Sequence, residues 1–151
     1  MKLFKILLGI VFITALNFSA IGAGNGFWMK NLEQAQKIAA KKNLPVLVYF
    51  TGSDWCMWCI KFDKEVFSKQ AIKDYLKDNF ISVVVDFPMY QEQAAAVRQK
   101  NALLKNKYAV AGFPTLLVLS PKGDILAKSN YIPGGVEAVK KYLELAKQRM
   151  K

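Results

Sequence analysis

Hydrophobic positions along this chain change their period several times, and each change marks an element. After Asn31, a plausible N-cap, Leu32, Ala35 and Ala39 share one face of a helix that runs to about Lys42 and is stopped by Leu44-Pro45. Val46-Leu47-Val48-Tyr49-Phe50 is an unbroken apolar, β-branched run and reads as a central strand buried on both faces. Thr51 to Asp54 has turn chemistry. From near Cys56 the period returns to helical, with Cys59, Phe62 and Val66 at i, i+3 and i+7. Ser68 reads as a second N-cap, with Ile72, Tyr75 and Leu76 inward. Phe80 to Val85 predicts a second buried strand, and Asp86 to Tyr90 a loop. Gln91 to Lys107 predicts a polar helix with a weak stripe of Val97, Leu104 and Tyr108. Thr115 to Leu119 is a third strand, Pro121 to Asp124 a hairpin turn, and Ile125 to Lys128 a fourth strand. Gly134-Gly135 precedes a last helix carrying Val136, Val139, Leu143 and Ala146.

The resulting order, α-β-α-β-α-β-β-α, predicts an α/β fold: one mixed sheet with helices on both faces. At 151 residues there is room for one compact domain, and no repeat or linker divides it. The N-terminus reads differently. Lys2 and Lys5 precede an apolar stretch from Ile6 to Leu16, and Asn17 to Ala23 turns small and polar. That is the order of a secretory signal peptide, too short to span a bilayer, which takes about 20 residues. We therefore expect residues 1–23 to be a signal peptide, cleaved after Gly22 or Ala23, and residues 24–151 to be the mature domain, working in the periplasm without stable membrane insertion.

Lys and Arg number 22 against 11 Asp and Glu, a net charge of +11. The lysines are spread along predicted helices rather than clustered, so the charge reads as a solvated surface and not as a nucleic-acid site. The chain has no histidine. Cys-His and Ser-His nucleophile pairs and histidine metal sites are thereby excluded. Chemistry must come from cysteine, carboxylate, lysine or tyrosine.

The two cysteines, Cys56 and Cys59, stand in C-x-x-C spacing after a strand and at a helix start. As a structural disulfide the pair would close a very short loop and contribute about 2 kcal/mol, less than the roughly 3 of a 15-residue loop. No ligands exist to complete a zinc site, and Ile60 stands where haem attachment needs histidine. A redox dithiol fits, because a helix N-terminus favours a thiolate. Cys56 is then the nucleophile. Cys59, one turn inside, resolves the mixed disulfide. No metal or cofactor is expected.

Trp55-Cys56-Met57-Trp58-Cys59, Gly112-Phe113-Pro114-Thr115 and the Pro121-Lys122-Gly123-Asp124 hairpin together resemble the thioredoxin superfamily in order and spacing. The stretch from Glu65-Val66-Phe67-Ser68 through Val85-Asp86 resembles its secreted thioredoxin-like branch. The resemblance spans about Phe27 to Lys147 and implies a thioredoxin fold. It also implies that Pro114 is cis and lies against the cysteines, and that the Phe113 backbone meets substrate. Trp55, Met57 and Trp58 are candidate substrate contacts. Thioredoxins keep a buried aspartate in the strand before the motif, and the position nearest in register here is Tyr49. Asp54, Lys61 or a water are then the candidate proton acceptors for Cys59. Many relatives also bend the active-site helix at a proline, where this chain has Lys64, so a straighter helix is expected.

The absence of histidine between the cysteines argues against a strong oxidant and for a potential near thioredoxin's, about −270 mV. The expected activity is reduction of protein disulfides in envelope proteins, with electrons from a membrane thiol donor and the protein as a monomer. Disulfide oxidation or isomerisation is the alternative within this chemistry. An envelope binding or chaperone module with an incidental C-x-x-C is the alternative outside it.

Overall fold

A computed structural model describes residues 27–150. The expected signal peptide, residues 1–23, and its cleavage site lie outside the described residues.

Strand β1 (Val46–Thr51) is buried along its whole length. It pairs in parallel with β2 (Ile81–Asp86) and antiparallel with β3 (Thr115–Leu119), which pairs antiparallel with β4 (Ile125–Ser129). The sheet order is β2-β1-β3-β4. Because side chains alternate across a sheet, β1 feeds two cores. Leu47 and Tyr49 join Leu116 and Val118 beneath Phe62, Phe67, Ile72, Val139 and Leu143. Val46, Val48 and Phe50 join Leu117 and Leu119 beneath Leu32, Ala35 and Ala39. This is the physical reason for the unbroken apolar run: both faces of the strand are covered.

Helix α1 (Leu32–Lys42) starts as expected, with the Asn31 side chain accepting the Gln34 N–H at 3.1 Å. It ends on Asn43 in the left-handed region, φ 51°. Helix α2 (Met57–Phe62) does not run on as one regular helix. At Asp63–Phe67 the backbone takes a π-helical turn, with Ser68 N–H donating to the Asp63 carbonyl at 2.7 Å. Lys64 in place of proline therefore does not give the straight helix expected, because the widened turn re-aims the chain instead. Ser68 is not an N-cap. Its hydroxyl donates back to the Lys64 carbonyl, and helix α3 (Gln70–Asn79) is preceded by Lys69 without a side-chain cap.

Strand β2 begins and ends one residue later than expected. Helix α4 (Ala95–Lys107) starts four residues later than its polarity suggested. The Gln91 N–H and the Gln93 side chain are bonded to Asp54 and to the Asp86 carbonyl, which holds this stretch out of the helix. The buried residue of α4 is Asn101, donating to the Asp86 carbonyl at 2.8 Å, while Val97 is exposed. Helix α5 (Gly135–Lys147) follows the predicted positions, burying Val139, Leu143 and Ala146. The hairpin between β3 and β4 turns on Gly123, φ 99°.

Candidate active site

The site begins where β1 ends. The Gly52 carbonyl accepts the Cys56 N–H at 3.0 Å, turning the chain into α2. Gly52 admits no side chain, because a Cβ there would meet the Trp55 indole at 2.6 Å. Cys56 is the N-cap of α2, and its Sγ accepts the Cys59 N–H at 3.2 Å. Cys56 and Cys59 are joined in a disulfide, their Cα atoms 5.2 Å apart. Cys56 retains 7% exposure and Cys59 none, so an incoming thiol or disulfide meets Cys56 first. The Cys59 N–H bond favours the charged form of Cys56 once the disulfide opens.

Trp55 and Trp58 flank the cysteine pair along the chain, and each meets a further aromatic ring. Trp55 is 40% exposed, its indole N–H donating to the Phe87 carbonyl at 2.7 Å. It is therefore both packed and available. Met57 and Trp58 project from α2 into solvent. The Trp58 ring lies 5.1 Å from that of Tyr131, with Lys61 Nζ over both rings. The β1–β3 register sets Thr115 beside Phe50, which brings the preceding turn to the end of the sheet that carries the cysteines. In that turn the Phe113–Pro114 peptide bond is cis, Pro114 is buried, and the Thr115 hydroxyl donates to the Gly112 carbonyl at 2.7 Å. Phe113 stacks on Phe87 at 4.9 Å and meets Trp55 edge-on at 6.2 Å.

The proton-handling groups differ from those expected. Asp54 does not reach the thiols. Its carboxylate accepts the backbone N–H groups of Met89, Tyr90 and Gln91 at 2.8–2.9 Å. Against a desolvation that acts upward, these bonds hold its pKa below the ordinary value. Lys61 faces Trp58, Tyr131 and Glu65. Tyr49 does lie under the disulfide, its hydroxyl 3.5 Å from the Cys59 carbonyl. Burial and then the nearby Asp63 charge push its pKa upward.

The carboxyl the sequence reading missed is Asp63. It stands four residues after Cys59, on the same helical stripe, and faces the Tyr49 phenol. Burial, with a contribution from Asp86 and against the Tyr49 interaction, raises its pKa to about 6. The i, i+4 spacing was the available signal; the π-helical turn and the closeness of Tyr49 were not visible. A groove of about 910 Å³ opens onto this pair, lined among others by Trp28, Thr51, Asp86 and Asn101. Among the described residues no cluster of acidic and cysteine side chains is placed to hold a metal ion.

The thioredoxin-like domain family matches residues 32–147. The disulfide bond reductase DsbH of Chlamydia pneumoniae is 37% identical over 129 residues, which cover 83% of this chain and 77% of that protein. The thioredoxin-related protein DsbJ of the same organism is 31% identical over 93 residues, 62% of this chain but 27% of that protein. A solved structure of a DsbH oxidoreductase superposes with a TM-score of 0.75 at 35% identity, covering 80% of this chain and 83% of that one.

Proposed function

This chain belongs to the thioredoxin-like family, and on that premise we propose that its thiol–disulfide oxidoreductase activity runs in the direction of protein-disulfide reduction. The observation that carries the exchange chemistry is the asymmetry of the cysteine pair: Cys56 borders solvent at the start of α2 and Cys59 is sealed beneath it. In the reduced protein the Cys56 thiolate attacks a substrate disulfide, forming a Cys56–substrate disulfide and releasing one substrate thiolate. Cys59 then loses its proton and attacks Cys56 Sγ. The Cys56–Cys59 bond forms, the second substrate sulfur leaves, and two electrons have passed to the substrate. Asp63 is the group we assign to take the Cys59 proton, through Tyr49 or water in the groove.

Direction rests on Met57-Trp58, which places no cationic side chain between the cysteines to stabilise the reduced form as a strong oxidant requires. The relative named as a disulfide bond reductase supports the same direction. Trp55, Met57, Trp58 and the Phe113–Pro114 turn form the docking surface. Residues 1–23 direct the domain, 24–151, to the periplasm, where a membrane thiol donor returns electrons and disulfide-bearing envelope proteins are substrates. The domain acts as a monomer.

In the test, the reduced protein catalyses thiol-dependent reduction of insulin, and Cys56→Ser and Cys59→Ser each abolish turnover. Cys59→Ser traps mixed disulfides. Glutathione equilibration gives a potential near −270 mV; a value near −120 mV would reassign the protein as an oxidase. Insulin reduction undiminished in Cys56→Ser would overturn the assignment.

A further inference from the structure

The segment Ser53–Trp55 is tied to the distant segment Asp86–Gln91 by six hydrogen bonds. Ser53 N–H and hydroxyl donate to the Asp86 carboxylate at 3.0 and 2.6 Å. The Asp54 carboxylate takes the N–H groups of Met89, Tyr90 and Gln91. The Trp55 indole N–H donates to the Phe87 carbonyl. Three successive backbone donors converging on one carboxylate is a strong device for holding a loop, since each is a charge-assisted bond.

What this device holds in place is apolar and exposed. Phe87 is half-buried against Phe113, but Met89 is 63% exposed and Tyr90 77%. Neither side chain makes a hydrogen bond or an aromatic contact among the described residues. A folding argument accounts for Phe87 and not for its two neighbours. Ordering a loop has an entropic cost, and ordering it so that a methionine and a tyrosine face water returns nothing to the fold. Asp54 lies two residues before Cys56, at most about 7 Å of chain. The backbone of Met89 is thus tied to the residue two before the reactive cysteine, and through Phe87 the same loop adjoins Trp55 and Phe113.

We propose that Asp54 is a positioning residue that fixes Met89 and Tyr90 as a second lip of the docking surface, where they grip an extended polypeptide segment with an apolar side chain beside its disulfide cysteine. The chemistry suits that occupant. Methionine adapts to varied apolar shapes, and tyrosine offers a flat apolar face with a polar tip. Lys105 over Phe113 and Lys61 over Trp58 place a cation at either margin, so acidic residues further along the segment are favoured. The proposal rests on the exchange reading above and adds that the loop after β2 selects polypeptide over small disulfides.

The test compares two substrates: insulin and the small aromatic disulfide 5,5′-dithiobis(2-nitrobenzoate). In Tyr90→Ala and Met89→Ala the ratio of kcat/KM for insulin to that for the small disulfide falls about tenfold, through a higher KM for insulin. Asp54→Ala gives the same fall, together with faster hydrogen exchange at the Met89, Tyr90 and Gln91 amides; Asp54→Asn recovers part of both. A ratio unchanged in Met89→Ala and Tyr90→Ala overturns the lip. A ratio that falls in these two but not in Asp54→Ala, with exchange accelerated there, overturns the positioning role. Absence of insulin reduction by the unmodified protein would instead overturn the exchange reading, so the two failures are distinct.

Discussion

Asp63 has an environment that its neighbours in sequence do not advertise. Its carboxyl is pushed to about 6 mainly by burial, which makes it a base able to accept a proton near neutral pH. To act as the proposed acceptor for Cys59, it must be ionised beforehand. Resolution of the mixed disulfide should therefore speed up as pH rises through about 6. Asp63→Asn should lower turnover about a hundredfold at pH 7 and remove that rising limb, which stopped-flow kinetics across pH 5–8 would read. Stability moves the other way. The folded pKa lies above the ordinary 3.8, so folding favours the protonated acid. The contribution is fully present below about pH 4 and is lost as pH rises through about 6. Asp63→Asn should thus melt at a higher temperature than the natural protein at pH 8, with the difference fading below pH 4. Calorimetry showing equal melting temperatures at pH 8 would contradict the burial argument.

At the scale of elements, the boundaries that were legible are those set by local chemistry. Asn31 caps α1 because its side-chain oxygen satisfies an otherwise unpaired N–H, and Asn31→Ala should cost about 1 kcal/mol in urea titration with an unchanged m-value. The boundaries that were not legible are those set by distant partners. Helix α4 begins at Ala95 because Asp54 and Asp86 claim the preceding residues, and nothing near Gln91 in sequence announces a carboxylate 37 residues away. The interruption of α2 is of the same kind. A continuous apolar stripe at Cys59, Phe62 and Val66 fits a regular helix, but Phe62, Val66 and Phe67 must all enter the core beneath Tyr49. The π-helical turn is what lets both Val66 and Phe67 do so.

Across the whole molecule, the two cores meet at the sheet but have separate relations to chemistry. Leu116 points into the core that carries α2 and the cysteines, whereas Leu117 points to α1 on the other face. Leu117→Ala should cost about 2–5 kcal/mol of stability, from lost burial and the cavity left behind. Because α2 packs on the opposite face, and this core meets the proposed docking surface only at its edge through Phe87 and Phe113, kcat for insulin reduction should stay within about twofold while the variant is folded. Denaturant melts alongside steady-state assays would check this, and a large kcat loss in the folded variant would show that the two faces are not independent. The sequence carries a net charge of +11, and Lys61 and Lys105 lie over the Trp58 and Phe113 rings of the proposed docking surface.

Sequence alone determined the class of fold and the reactive pair. Strand and helix periods follow from which side chains must leave water, and a C-x-x-C pair without histidine or further cysteine leaves redox chemistry as the fitting use. Tyr49 was also legible as a strand residue at the level of the cysteines, and its hydroxyl does lie 3.5 Å from the Cys59 carbonyl. Its neighbours were not. The fold brings Asp63 to Tyr49 from the helix side, takes Asp54 away from the thiols to the loop after β2, and leaves Met89 and Tyr90 exposed at the end of that tie. These outcomes depend on which backbone donors and burial surfaces converge from segments far apart along the chain. A periodic pattern records a residue's own need for burial, but not the identity of the partner that meets it.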